Sequence, residues 1–179
     1  LDVEDEVTTV TNLGGRAFFN NADTERQGIE FGFDAAILEG VDLLGSYTYS
    51  DLEFDRFVNV PGAVGARLPG VPKHHAYIEL DYNHRSGLFL KWDLTYVGSV
   101  FADNLNEVKT DNYSLSNIVL GFAKKFNRFS ISPRLGINNL FKQDYNQEIR
   151  IQDATNRFFE PGPGRNFYGS INLRYEFSD

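Results

Sequence analysis

The 179-residue sequence has no cysteine, no methionine and a single tryptophan. Without thiols there are neither disulfides nor thiolate metal sites, a composition that suits an oxidising compartment. Without methionine there is no initiator, so the chain reads as a processed product or a segment of something longer. No stretch approaches the roughly 18 consecutive apolar residues of a membrane-crossing helix, and no signal-peptide pattern opens the chain. Basic residues are in the minority, 17 against 25 acidic, for a formal net charge of -8. Nucleic acid is therefore not an expected partner, because phosphate binding needs a basic stripe. The sequence also lacks a G-x-S-x-G, an H-E-x-x-H and a phosphate-cradling glycine loop, so neither an enzyme nor a cofactor is expected. A β-barrel in a membrane survives all these absences, since its strands carry only a weak alternating signal.

What the sequence does have is aromatic residues, with 16 Phe and 9 Tyr, and alternation. In "RNFYGSINLRYEF", Phe167, Ile171, Leu173, Tyr175 and Phe177 alternate with Asn166, Ser170, Asn172, Arg174 and Glu176. A period of two marks a strand with one apolar and one polar face. Further segments repeat it: Val3 and Val7 against Asp2, Glu4 and Glu6; Ile29 to Ile37; Val41 to Tyr49, where Leu44 breaks the polar row. It continues in Ala76 to Tyr82, in Leu88 to Val100 with Phe89 and Val97 as exceptions, in Ile118 to Phe122, and in Phe129 to Phe141. This predicts about eight strands and no helix.

Tight links fall at "LEGV" (38–41), "HRSG" (84–87) and "FNRF" (126–129), and long ones at roughly 11–26, 51–73, 102–112 and 142–164. Short turns on one rim and long loops on the other describe an antiparallel up-and-down meander. Strand length and terminal aromatics favour lipid against the apolar face. Alternation alone leaves open a soluble lipocalin-like barrel, in which the same face would look inward.

Four stretches resemble TonB-dependent outer-membrane receptors of the siderophore-receptor type. "NNADTERQGIEFGFDAAILEGVDLLGSYTYSD" (20–51) resembles the family's strand–turn–strand unit, and "LPGVPKHHAYIELDY" (68–82) its Pro-Lys-His approach to the next strand. "LGINNLFKQDYN" (135–146) is similar to its Asn-Asn-Leu-Phe hallmark, and "PGPGRNFYGSINLRYEF" (161–177) to its closing strand. The resemblance implies that residues 1–179 are the C-terminal segment of a roughly 22-stranded transmembrane barrel, without the plug domain. It implies residence in the outer membrane of a Gram-negative bacterium and TonB-dependent uptake of a ferric siderophore or similar metal chelate. The implied partners are that ligand, the plug, TonB, membrane lipid and lipopolysaccharide. Ser178 and Asp179 depart from the family's usual aromatic end. The other readings are an autonomous eight-stranded outer-membrane barrel with a structural or adhesive role, and the soluble lipocalin-like binder.

Candidate site residues fall in two sets. Glu30, Asp34, Glu79, Asp81, Lys91, Asp93, Arg134, Arg174 and Glu176 share the polar parity; they are expected to line a wet lumen and meet the plug. Arg56, Arg67, Arg150 and Arg157, with Phe57, Phe158 and Phe159, lie in the long loops. Guanidinium forks suit anionic chelates, and aromatic rings suit their apolar parts. His74 and His75 are adjacent on a strand, so they point to opposite faces and cannot chelate one ion together. Asn138 and Asn139 are expected to cap backbone groups where a strand ends. Pro161 and Pro163 are expected to lie outside the sheet, since neither can donate to a ladder.

Overall fold

The computed structural model describes residues 1–12, 15–58 and 60–177; Ser178 and Asp179 lie outside them. Strands β1 (Asp2–Asn12), β2 (Gly15–Leu38), β3 (Val41–Phe57), β4 (His74–Asn83), β5 (Leu88–Val97), β6 (Tyr113–Phe122), β7 (Lys124–Phe126) and β8 (Phe129–Asn138) follow one another along the chain. They are completed by β9 (Asn146–Ile149), β10 (Phe159–Pro161) and β11 (Asn166–Tyr175). One antiparallel sheet runs β1-β2-β3-β4-β5-β6-β8-β11, with β7 also pairing β8, while β9 and β10 form a separate ribbon. Among the described residues the only helix is a 3-10 turn at Pro61–Ala63, and no helix is long and apolar enough to cross a membrane. Consecutive strands joined at Glu39–Gly40, His84–Gly87 and Asn127–Arg128 give the short-turn rim that the sequence predicts.

Register aligns the apolar parity across the sheet. Phe31 faces Tyr47, which faces Ala76, which faces Tyr96. Lower down, Leu43 faces Leu80, Leu80 faces Trp92, Trp92 faces Ile118, Ile118 faces Ile137 and Ile137 faces Phe167. A slip of one residue in any pair would carry its whole apolar set to the other face. This face does not pack into a protein core: Leu135, Ile171 and Leu173 are 70%, 67% and 62% exposed. The buried apolar cluster lies elsewhere, at the long-loop end, where Ala22, Phe54, Phe57 and Ala63 meet under Val60, Ala66 and Leu68.

Two exceptions to the alternation have a packing reason. Phe89 sits on the polar face directly opposite Gly121, with Cζ only 2.2 Å from where a Cβ on that glycine would stand. Tyr168 covers Gly136 in the same way, with Cζ at 2.3 Å. Each aromatic ring fills the gap its cross-strand glycine leaves in the wall. A third irregularity comes from Pro133. Pairing with β8 lapses between Gly121↔Arg134 and Lys124↔Ile131 yet resumes in unchanged register. Pro133, which would face Phe122, has no N–H to give.

Several boundaries differ from the sequence reading. Residues 15–26 belong to β2, and β3 continues to Phe57, so the segment read as a loop at 11–26 is mostly strand. β1 pairs only with the Gly15–Glu25 part of β2, and its register shifts around Glu6 break the Val3/Val7 alternation. β5 ends at Val97 and β8 at Asn138, leaving Val100 buried in a loop and Phe141 exposed in a turn. Pro161 ends β10, outside the main sheet but inside the small ribbon, at a register irregularity. Asn139 caps as expected: its Oδ1 accepts the Gln143 N–H and its Nδ2 donates to the Gln143 carbonyl, both at 2.8 Å. Asn138 instead donates across the sheet to Asn166 Oδ1 at 2.9 Å.

Replacing Gly136 by Val forces the Tyr168 ring off its seat. The variant is expected to lose about 1–3 kcal/mol of stability, read as a lower denaturant midpoint of the barrel in detergent. An unchanged midpoint would show that the ring does not need that space.

Candidate functional site

The polar face carries a ladder of charge. Asp34, Leu44, Glu79, Asp93 and Asn117 form one cross-strand row, and Asp42, Asp81, Lys91 and Val119 the next. The Lys91 ammonium lies 2.6 Å from Glu79 Oε1 and 3.9 Å from Asp81 Oδ2. Tyr77 donates its hydroxyl to Glu79. Asp93 accepts from Asn117 Nδ2 at 2.7 Å, and Asn117 Oδ1 in turn accepts the Asn139 N–H at 3.0 Å. Nearer the closing strand, Arg134 Nε donates to Ser170 Oγ at 2.8 Å, and Arg174 lies opposite Ser130. Glu176 takes the Lys125 ammonium at 2.7 Å, which holds its carboxyl below the ordinary Glu range. Glu30 and Asp34 stand exposed on β2. Cross-strand charge pairs of this kind contribute only about 0.2–1 kcal/mol each. Their joint effect is a hydrated, acid-rich wall.

At the long-loop end the arginines separate into two groups. Asp51 is a hub on the face of Tyr47 and Tyr49: Tyr49 donates its hydroxyl at 2.9 Å and Lys73 its ammonium at 3.0 Å. Arg67 Nε lies 4.0 Å away. The Lys73 contact first, then the Tyr49 hydroxyl, hold the Asp51 carboxyl below the ordinary Asp range. Arg56 forks onto Asp23 at 2.6 and 2.8 Å and, with the Asp5 N–H, lowers that carboxyl as well. Asp23 and Arg56 alternate with the buried Ala22 and Phe57, so they point away from the cluster those residues form. Arg56 and Arg67 therefore face outward with the aromatic girdle. Phe57 is only 2% exposed and packs against Phe54, which leaves it no surface for a ligand.

Arg150, Arg157, Phe158 and Phe159 do come together. The β9–β10 ribbon puts them around a cavity of about 330 Å³ that Asn156 and Glu160 complete. Arg150 is tied to Glu160 by an ion pair, whereas the Arg157 side chain has no carboxylate partner among the described residues. The loop between β9 and β10 is tied to the 98–112 loop by the Gln152 N–H to the Ala102 carbonyl at 2.9 Å, and that loop is tied in turn to the 58–73 loop by the Gly70 N–H to the Phe101 carbonyl at 2.9 Å. Asp103 accepts the backbone N–H groups of Leu105, Glu107 and Val108, and Asn106 exchanges two 2.8 Å bonds with the Arg67 backbone. Neither residue stood out in the sequence, although an Asp-Asn-Leu-Asn run is a recognisable side-chain-capped turn.

Residues 1–140 match the family described as TonB dependent receptor-like, beta-barrel. The chain belongs to that family. Among its relatives, the ferrichrome outer membrane transporter/phage receptor of Escherichia coli K12 is 29% identical over 136 residues, 72% of this chain and 18% of that protein. The metal-pseudopaline receptor CntO of Pseudomonas aeruginosa is 27% identical over 158 residues, 86% of this chain and 21% of that protein. The crystal structure of BauA, the ferric preacinetobactin receptor of Acinetobacter baumannii, shares the fold with a TM-score of 0.76 at 19% identity, over 96% of this chain and 26% of that one. This chain thus spans about a fifth of the length of the curated relatives named.

For a TonB-dependent receptor barrel, located in the Gram-negative outer membrane, the two faces have fixed meanings. The apolar parity meets lipid and the charged parity lines the lumen. The sheet is an open arc, with β1 and β11 unpaired to each other among the described residues. It is neither a self-closed eight-stranded barrel nor a lipocalin-like fold with a dry apolar centre.

Asp51 also sets a pH dependence. Its carboxyl is lowered in the fold, so its contribution is present above the ordinary Asp value and is lost as pH falls through the folded one. Hydrogen exchange at the Ser50 and Leu68 amides, which bond Lys73 and Leu52, is expected to lose protection below about pH 4. An Asp51→Asn variant is expected to show that loss already at neutral pH. Equal protection in both proteins across the range would contradict the hub.

Proposed function

We propose that this chain is the C-terminal barrel segment of a receptor that takes up a metal chelate, a ferric siderophore or a close analogue, with energy delivered through TonB. Its role is that of a receptor and transporter, not an enzyme. The observation that carries the reading is the pairing of a charge-lined lumen wall with a crown cavity where Arg157, Phe158 and Phe159 converge. Relatives named for ferrichrome and for metal-pseudopaline support the cargo class. Guanidinium and ring edges of this kind suit the oxygen-rich and apolar parts of a chelate. The wall around Glu79, Lys91, Asp93 and Arg134 is the surface on which a plug domain docks. Arg56, Arg67 and Lys73, facing outward above Tyr47 and Tyr49, are placed to meet lipopolysaccharide.

The test is growth of an iron-starved strain carrying the intact receptor on a panel of ferric chelates, followed by direct binding. One chelate is expected to support growth, and Arg157→Gln to weaken its binding about tenfold, with Arg56→Gln unchanged. Growth on no chelate, or equal losses from both arginines, would overturn the reading.

A further inference from the structure

The lipid-facing surface is not uniform. An apolar groove of about 810 Å³ crosses β5, β6, β8 and β11, bounded by Leu88, Leu120, Phe122, Pro133, Leu135 and Ile171. Its depth comes from two small residues. Gly169 stands on the same parity as Phe167 and Ile171 but offers no side chain, and a Cβ there would come within 3.1 Å of Leu135 Cδ2. Pro133 contributes only a compact ring, at the point where the β6–β8 pairing lapses. The four strands are consecutive in the sheet, β5-β6-β8-β11, so the groove lies across neighbouring strands of one wall.

A cation stands at one end. Lys124 follows Phe122 on the same parity, opposite Ile131, and its ammonium lies 5.3 Å from the centroid of the Phe126 ring. Among the described residues no carboxylate pairs with it. The adjacent Lys125 turns to the lumen side, where Glu176 takes it. Lys124 belongs to the rim of short turns, which in outer-membrane barrels faces the periplasm. An unpaired ammonium at the edge of hydrocarbon keeps its charge at the headgroup level and is attracted to anionic lipid.

We propose that this groove and Lys124 together form a site for one anionic glycerophospholipid of the periplasmic leaflet. An acyl chain lies along Leu120, Phe122, Pro133 and Leu135 over Gly169, and the lipid phosphate is held by the Lys124 ammonium. Lipopolysaccharide does not fit, because its phosphates lie on the opposite rim. The inference rests on the membrane-barrel assignment and not on the cargo proposed above.

The test uses the intact receptor, delipidated in detergent, titrated with phosphatidylglycerol and read by native mass spectrometry. Three variants decide it: Lys124→Gln removes the phosphate contact, Gly169→Leu fills the groove, and Lys125→Gln removes a neighbouring charge on the other face. The wild type is expected to hold one lipid, with Lys124→Gln and Gly169→Leu each weakening retention about fivefold and Lys125→Gln matching the wild type. Wild-type retention in either of the first two, or a loss common to both lysine variants, would overturn the site. Chelate binding by the same preparations reports separately on the receptor reading.

Discussion

Hydrocarbon offers no hydrogen-bond partner, so a strand inside a bilayer must satisfy its backbone from its neighbours and show lipid only apolar side chains. In this chain those demands meet in a single quantity, the cross-strand register. Leu80, Trp92, Ile118, Ile137 and Phe167 fall in one line only because β4, β5, β6, β8 and β11 are paired as they are. The same register brings Lys91 between Glu79 and Asp81 on the opposite face. The charge ladder is thus a by-product of the apolar alignment.

Above the bilayer the constraint relaxes and the architecture changes. β2 and β3 run on past Tyr49 as a tall hairpin with a small dry cluster of its own, Phe54 and Phe57 against Ala22 and Ala63. The loops are held by side chains that mimic or cap backbone, Asp103 and Asn106 among them. This division lets a wall bound by register and a crown braced by side chains coexist in one chain. Changes in Arg157 or Phe158 leave the register of the spanning strands untouched, so the crown can change without the barrel being rebuilt.

The spanning strands were legible in the sequence because a half-buried strand writes its face into every second residue. The tight turns were legible because they interrupt that alternation. What could not be read was anything governed by distance along the chain. The strand from Gly15 to Gln27 carries no alternation that marks a bilayer crossing, because it lies above the membrane with water available to it, and so it resembled a loop. Phe89 and Tyr168 broke the pattern without visible cause, since the glycines they cover are on other strands. Of the loop residues expected to meet ligand, Arg150, Arg157, Phe158 and Phe159 share a cavity. Arg56 turns outward and Phe57 is buried because a register shift between Asp23 and Thr24 resets which side chains face which way, while Arg67 is carried outward by its bridge to Glu53 beside Asp51. A sequence gives no warning of such a shift.

These 179 residues hold no cysteine, so in a receptor whose remaining segments are cleared of cysteine the central claim is directly measurable. Single cysteines introduced at successive positions from Leu90 to Thr95, spin-labelled in the reconstituted receptor, report collision with oxygen in lipid or with a water-soluble nickel chelate. The account predicts a strict alternation, with labels at positions 90, 92 and 94 seeing oxygen and labels at 91, 93 and 95 seeing the chelate. Labels that follow the reverse order, or that show no period of two, would contradict it.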